Sequence, residues 1–243
     1  MTYSFSRLNL YFKCPFKFYK RYIEKETEPV TEPLALGKAV HTAIELKMKG
    51  KTQEDALLEA YRDADIPINE EEYQKLVKAA PVFEGEGTTN DVEVEKYFKV
   101  PLYHGGPELQ GYIDVVRNTF GMLSFVDWKT NRKKYHPLNN MQLPLYAWAL
   151  SKLYNVETVH GTLFFLRYKR KPDMSQTFTR AEMNKGKDWA IKLADEIENK
   201  LFILDLDAEK GLELFPDTPS AECTYCPFAL ECYRKSLKEK NIS

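Results

Sequence analysis

Gly111-Tyr-Ile-Asp114-Val-Val-Arg-Asn118-Thr-Phe-Gly121-Met-Leu-Ser-Phe-Val-Asp127-Trp-Lys129 decides the fold. Leu109 to Asn118 and Met122 to Lys129 are rich in β-branched and aromatic residues, and Asn118-Thr-Phe-Gly121 between them has hairpin-turn composition. Asp114 and Asp127 therefore fall on neighbouring antiparallel strands. Upstream, Val92 to Leu102 reads as a third strand, joined through His104-Gly-Gly-Pro107. Downstream, Pro137 to Tyr154 is predicted helical, His160 to Lys169 a strand, and Thr179-x-x-Glu182 a capping box opening a long helix to about Leu204.

The N-terminal third has helical character. From Leu36 the apolar residues Val40, Ile44 and Met48 recur at helical spacing, which sets His41 and Glu45 one turn apart on one face. Stretches near Glu54 to Asp63 and Glu70 to Ala80 are polar enough for peripheral helices. Ser6 is the expected cap of a first short helix, Pro15 re-aims the chain into Phe16 to Tyr22, and Glu28 to Pro33 reads as a linker. The last 30 residues hold three of the four cysteines among prolines and read as a small irregular lobe.

A chain of 243 residues, 43% hydrophobic, is enough for one large domain with a sizeable core. The net charge of -1 excludes a globally basic nucleic-acid binder, so any polyanion site must be local. Lysine and arginine do cluster, at Lys13 to Lys25, Lys129 to Lys134 and Arg167 to Lys171. Neither a signal-type apolar core nor a run near the ~18 apolar residues of a membrane span occurs, so a cytoplasmic protein without membrane partners is expected. In that reducing compartment cysteines serve as metal ligands more readily than as disulfides.

Four pieces fit one reaction: Gly37-x-x-x-His41, Gly111-Tyr-Ile-Asp114, Asp127-Trp-Lys129 and Gln142-x-x-x-Tyr146. Asp114 and Asp127 offer oxygens to Mg2+ or Mn2+, and His41 adds a nitrogen that favours Mn2+. Lys129 is the candidate group for orienting water or steadying charge in metal-assisted phosphodiester hydrolysis.

Singly these are ordinary features. In this order, however, helix with His, strand with Asp, strand with Asp-x-Lys and helix with Gln-x-x-x-Tyr, they resemble the PD-(D/E)XK nucleases, in particular the RecB-like branch. The resemblance runs from Ser6 to Cys232. It implies an α/β fold with a central mixed β-sheet flanked by helices, the restriction-endonuclease-like core. It implies that His41, Asp114, Asp127 and the Trp128 carbonyl hold the metal, that Lys129 assists the nucleophilic water, and that Gln142 and Tyr146 position substrate and Lys129. The family often adds a glutamate from the preceding strand. Glu95 is the expected one, with Glu93 on what strand alternation makes the same face. Ile113 stands where the motif's proline would be.

Cys223-x2-Cys226-x5-Cys232, with Cys14 as the remaining thiol, suits either a four-thiolate zinc or a 4Fe-4S cluster by spacing alone. Cys14-Pro-Phe-Lys-Phe-Tyr and Cys226-Pro227 resemble the iron-sulfur nucleases of this branch, among them the AddB nuclease domain and the small CRISPR-associated RecB-like exonucleases. That implies a structural 4Fe-4S cluster in a lobe of residues 1–25 and 216–243, joined to a helical segment and catalytic core over 34–215 of one nuclease domain. The expected activity is a Mg2+- or Mn2+-dependent DNA exonuclease acting on single strands or duplex ends, with a helicase or a replication or recombination protein as a partner. Lys17, Tyr19, Lys20, Arg21 and Tyr22 are the candidate strand contacts, where aromatics for stacking interleave with cations for phosphates. Endonuclease or flap cleavage, a non-catalytic DNA-binding scaffold, and a zinc-stapled protein without a nucleic-acid role are the competing readings.

Overall fold

The strands β1 (Asn90–Pro101), β2 (Glu108–Thr119), β3 (Met122–Lys129), β4 (Val159–Phe165) and β5 (Asp173–Phe178) form one sheet in that order. The computed structural model describes residues 1–83 and 90–240. All neighbours are antiparallel except β3 and β4, so the sheet is mixed, as expected. The sequence pattern does not predict β5. Asp-Met-Ser-Gln-Thr-Phe lies at the sheet edge with mostly exposed or half-exposed residues, and therefore carries little apolar alternation.

Nine helices are described: α1 (Phe5–Lys13), α2 (Pro15–Tyr22), α3 (Glu32–Met48), α4 (Gln53–Arg62), α5 (Glu70–Ala79), α6 (Gln142–Tyr154), α7 (Arg180–Leu206), α8 (Gly211–Leu214) and α9 (Ala229–Lys240). Three starts differ from expectation. Ser4, not Ser6, caps α1, its Oγ accepting the Arg7 N–H at 3.3 Å. Residues Glu32 and Pro33, read as linker, open α3, where a first-turn proline loses no hydrogen bond. The helix expected from Pro137 begins only at Gln142, because Pro144 has no N–H to donate and fits the first turn but not the second. Asn155 closes α6 in the left-handed conformation. The predicted capping box holds: the Thr179 N–H donates to Glu182 Oε2 at 2.8 Å and the Glu182 N–H to Thr179 Oγ1 at 3.4 Å.

The chain divides into two compact units, Val30–Trp189 and Met1–Pro29 with the chain from Ala190 onward. In the first, α3 and α5 cover one face of the sheet through Leu36, Val40, Ile44, Tyr73 and Val77 against Val115, Val126 and Trp128. The other face meets α6, where Tyr146 lies edge-on to Phe98 and tilted against Phe125. Residues Leu143 to Leu150 are all buried, which explains an α6 apolar around its whole circumference.

A fault in the β1–β2 ladder sets the direction of the residues around it. Pairs run Val94 with Val115 and Lys96 with Ile113, but Glu95 and Asp114 between them are not paired, and Glu95 takes a left-handed φ of 50°. In a regular strand Val92 and Phe98 would share a face. Instead Val92 packs with the α3–α5 core and Phe98 against α6, so the strand changes face at Glu95. β2 does the same at Asp114, since Val115 joins the α3–α5 core while Gly111 lies under Phe98.

In the second unit Phe18 and Tyr19 stack on Phe215, and the Phe16 N–H donates to the Pro216 carbonyl at 3.1 Å, so the N-terminal helices and the C-terminal segment share one core. Among the described residues no helix is long and apolar enough to cross a membrane.

Candidate active site

β2 and β3 pair from Thr119 with Met122 up to Val115 with Val126 and then part. Asp114 is the first residue past the ladder. Its Oδ2 accepts the Trp128 N–H at 2.6 Å, a charge-assisted bond that replaces the missing ladder bond and fixes the carboxylate. Its Oδ1 lies 3.1 Å from His41 Nδ1, brought in by α3. Glu95 arrives from the fault in β1. One ligand atom from each of His41, Glu95 and Asp114 lies within 4.8 Å of the others, a nitrogen with carboxylate oxygens, which suits a hard or borderline divalent cation.

The charges agree with that donor set. Burial pushes the Glu95 carboxyl up to about 7, with the Asp114 and Glu45 carboxylates adding to it. Burial opposes a charged His41, but the adjoining Asp114 carboxylate outweighs it and holds the imidazole above its ordinary range. A cation would relieve the Glu95 carboxyl, which resists ionising. The same left-handed backbone separates Glu95 from Glu93: alternation predicts one face for both, but Glu93 turns away to Lys96 and to the Tyr154 hydroxyl.

Beside this triad lies a second set. Gln142, in the first turn of α6, donates through Nε2 to Asp127 Oδ1 at 3.0 Å and accepts from Lys129 Nζ through Oε1 at 3.0 Å. Lys129 Nζ is also 2.5 Å from Asp127 Oδ2, a close ion pair. Both Asp127 oxygens are thus engaged, one by Gln142 and the other by Lys129. Burial raises the Asp127 carboxyl against the pull of Lys129. Burial likewise opposes a charged Lys129, but Asp127 prevails and keeps the ammonium charged. Tyr146 is buried one turn along α6 with its hydroxyl against Gln142. The Trp128 side chain is in the α3–α5 core, and its backbone N–H is the group engaged at the site. Tyr135 contacts Lys129 through its hydroxyl, from a ring set edge-on against Phe165. It stands in a loop with no periodicity, and nothing in the sequence marks it.

The family profile described as the PD-(D/E)XK nuclease superfamily matches residues 2–233. The chain belongs to the PD-(D/E)XK nuclease superfamily. No curated protein matches the sequence. Among solved structures, "Crystal structure of SSO0001" is similar at 14% identity over 89% of this chain and 93% of that chain, with a TM-score of 0.34. Within this PD-(D/E)XK protein the sheet, the His41–Glu95–Asp114 triad and the Asp127–Gln142–Lys129 network occupy one unit, and the superfamily implies metal-dependent nuclease activity.

The cysteines of this PD-(D/E)XK protein lie in the other unit. Cys14, Cys223, Cys226 and Cys232 line one open cleft with Phe16, Asp217 and Tyr233. The Lys17 N–H points to Cys14 Sγ at 3.5 Å at the start of α2, and the Ser220 N–H to Cys223 Sγ at 3.3 Å, donors that suit thiolates. Four thiols lining one cleft offer a donor set for either a zinc ion or an iron-sulfur cluster.

Of the expected strand contacts, Tyr19 and Lys20 are not presented to solvent. Tyr19 is stacked under Phe215, and Lys20, 5% exposed, is ringed by Glu24, Glu26 and Glu231. Burial disfavours its charge, but those three carboxylates hold it above the ordinary lysine range. Its charge is engaged by these three carboxylates. Lys17 and Arg21 share Glu28, and Tyr22 lies beneath the Arg7 and Arg21 guanidinium groups.

Proposed function

We propose that this protein is a Mg2+- or Mn2+-dependent DNA exonuclease of the RecB-like branch, acting on single strands or frayed duplex ends. The adjacency of the His41–Glu95–Asp114 donor set to the Asp127–Gln142–Lys129 network carries the reading. His41, Glu95, Asp114 and Asp127, with the Trp128 carbonyl, hold the cation. When bound, that ion supplies Lewis acidity at the phosphoryl group and acidifies the attacking water. Lys129, kept charged by Asp127, orients the water and balances charge that develops on phosphorus. Gln142 fixes both Asp127 and Lys129, and Tyr146 fixes Gln142. Lys17, Arg21 and Tyr22 guide the strand. Residues 1–25 and 216–243 hold a structural 4Fe-4S cluster through Cys14, Cys223, Cys226 and Cys232, as in the AddB and CRISPR-associated relatives, while 34–215 carries the catalysis. A helicase or recombination protein is the partner that would deliver single strands.

The test uses strands labelled separately at each end, with Mn2+, Mg2+ or EDTA. A ladder receding from one end, lost in EDTA and in both Lys129→Ala and Asp127→Ala, is expected. Internal cuts would favour the endonuclease or flap reading. Undiminished cleavage by both variants would remove the site, and the absence of any cleavage would leave the scaffold reading.

A further inference from the structure

We propose that Tyr97 and Tyr112 form a platform on which an unpaired base of the substrate strand stacks, immediately beside the metal-binding carboxylates. The inference rests on the nuclease reading for its substrate and on the ladder fault for its geometry. Tyr97 and Tyr112 are paired across β1 and β2, with ring centroids 5.2 Å apart. They are 45% and 61% exposed, so much of each ring stays open to solvent. Phe98 and Gly111 face α6, so alternation turns Tyr97 and Tyr112 to the opposite face, the one on which α3 brings His41 to Glu95 and Asp114.

Each tyrosine is two residues from a donor of the triad, Tyr97 from Glu95 and Tyr112 from Asp114. Two residues of strand span roughly 7 Å. A phosphate held at the triad therefore leaves the neighbouring base over these rings. The Tyr97 hydroxyl donates to Gln110 Oε1 at 3.0 Å, which limits rotation of the ring. Lys99 follows on the same face. Its partner Glu108 is as exposed as it is, and a pair of that kind contributes little and readily yields to phosphate. Aromatic faces flanked by a cation bind unpaired bases of any sequence, whereas a blunt duplex keeps its bases stacked on each other. The occupant is therefore an unpaired nucleotide. The cross-strand contact supports the sheet, and the same pair presents open ring surface two residues from the triad.

The test measures binding of a single-stranded oligodeoxynucleotide containing the fluorescent base 2-aminopurine, and of a blunt duplex, to the full chain in the Lys129→Ala background. Cleavage by the Tyr variants in the parent background is measured alongside. Tyr97→Ala and Tyr112→Ala should weaken single-strand binding by about fivefold to a hundredfold, with loss of 2-aminopurine quenching and little change in duplex binding. Tyr112→Phe should stay within about twofold of the parent, since the ring is retained. Melting temperatures of the Ala variants verify that the sheet is intact. Parent-like single-strand binding by both Ala variants, or equal weakening for single strand and duplex, would overturn the platform. If single strands bind in a Tyr-dependent way but nothing is cleaved, the platform stands and the hydrolytic reading falls. Cleavage indifferent to both tyrosines, with unchanged binding, has the reverse meaning.

Discussion

Glu95 has both a left-handed backbone, costing on the order of 1–3 kcal/mol in a non-glycine residue, and a carboxyl raised to about 7 by burial and by Asp114 and Glu45. A folded-state value above the ordinary 4.5 means that the folded chain favours the protonated form. The cost of ionising Glu95 is absent below about pH 4.5 and complete above about pH 7, so in metal-free protein this group lowers stability as pH rises through that window. A divalent cation held among His41, Glu95 and Asp114 would cancel the cost. The rise in melting temperature on adding Mn2+ should therefore grow between about pH 5 and 7.5, and Glu95→Gln should flatten both the growth and the metal-free slope. Parallel curves for parent and Glu95→Gln would show that Glu95 does not face the ion. Singly His41, Asp114, Asp127 and Lys129 are common residues; their order along the chain, through its resemblance to a known family, is what made them candidates, and the structure sets His41 beside Asp114 and Lys129 beside Asp127. The separation of Glu93 from Glu95 was not legible, because it depends on one dihedral angle that no alternation rule contains.

Among elements, those with a periodic apolar face or an explicit cap could be read directly: β1 to β3 from alternation and turn residues, α3 from its helical spacing, α7 from Thr179 and Glu182. The start of α6 and the edge strand β5 depend on context instead, one on where Pro144 fits a first turn and the other on pairing with β4. The seating of α6 against α7 is equally a tertiary property. A Cβ at Gly186 of α7 would fall 2.6 Å from the Leu145 nitrogen and 2.8 Å from the Pro144 carbonyl carbon, backbone atoms in the same turn that carries Gln142. Gly186→Ala should thus force the helices apart, costing about 1–3 kcal/mol by overpacking in urea unfolding and also lowering kcat through Gln142. The neighbouring exposed Lys185→Ala should do neither. Equal stability of Gly186→Ala and parent would mean that the α6–α7 approach is looser than described.

At the scale of the molecule, both ends of the chain belong to one compact unit, and the four cysteines that line its cleft are contributed by residue 14 and by residues 223 to 232. The proposed cluster, bonded to all four, would close a loop of about 200 residues and remove unfolded-chain entropy worth on the order of 5 kcal/mol. That matches the net stability of many domains. Cys14→Ser should consequently destabilise the protein about as much as Cys226→Ser, although one lies near the N-terminus and the other near the C-terminus. Folded protein recovered from either variant should still cleave with near-parent kcat, because Lys129, Asp127 and Gln142 belong to the other unit. Protein purified without oxygen should be brown, with broad absorption near ~400 nm from thiolate-to-iron charge transfer, and iron and sulfide should be lost together in Cys14→Ser. A colourless protein with one zinc would replace the cluster by a single ion. A brown Cys14→Ser protein with full iron content would break the link between the two ends while leaving the nuclease site untouched.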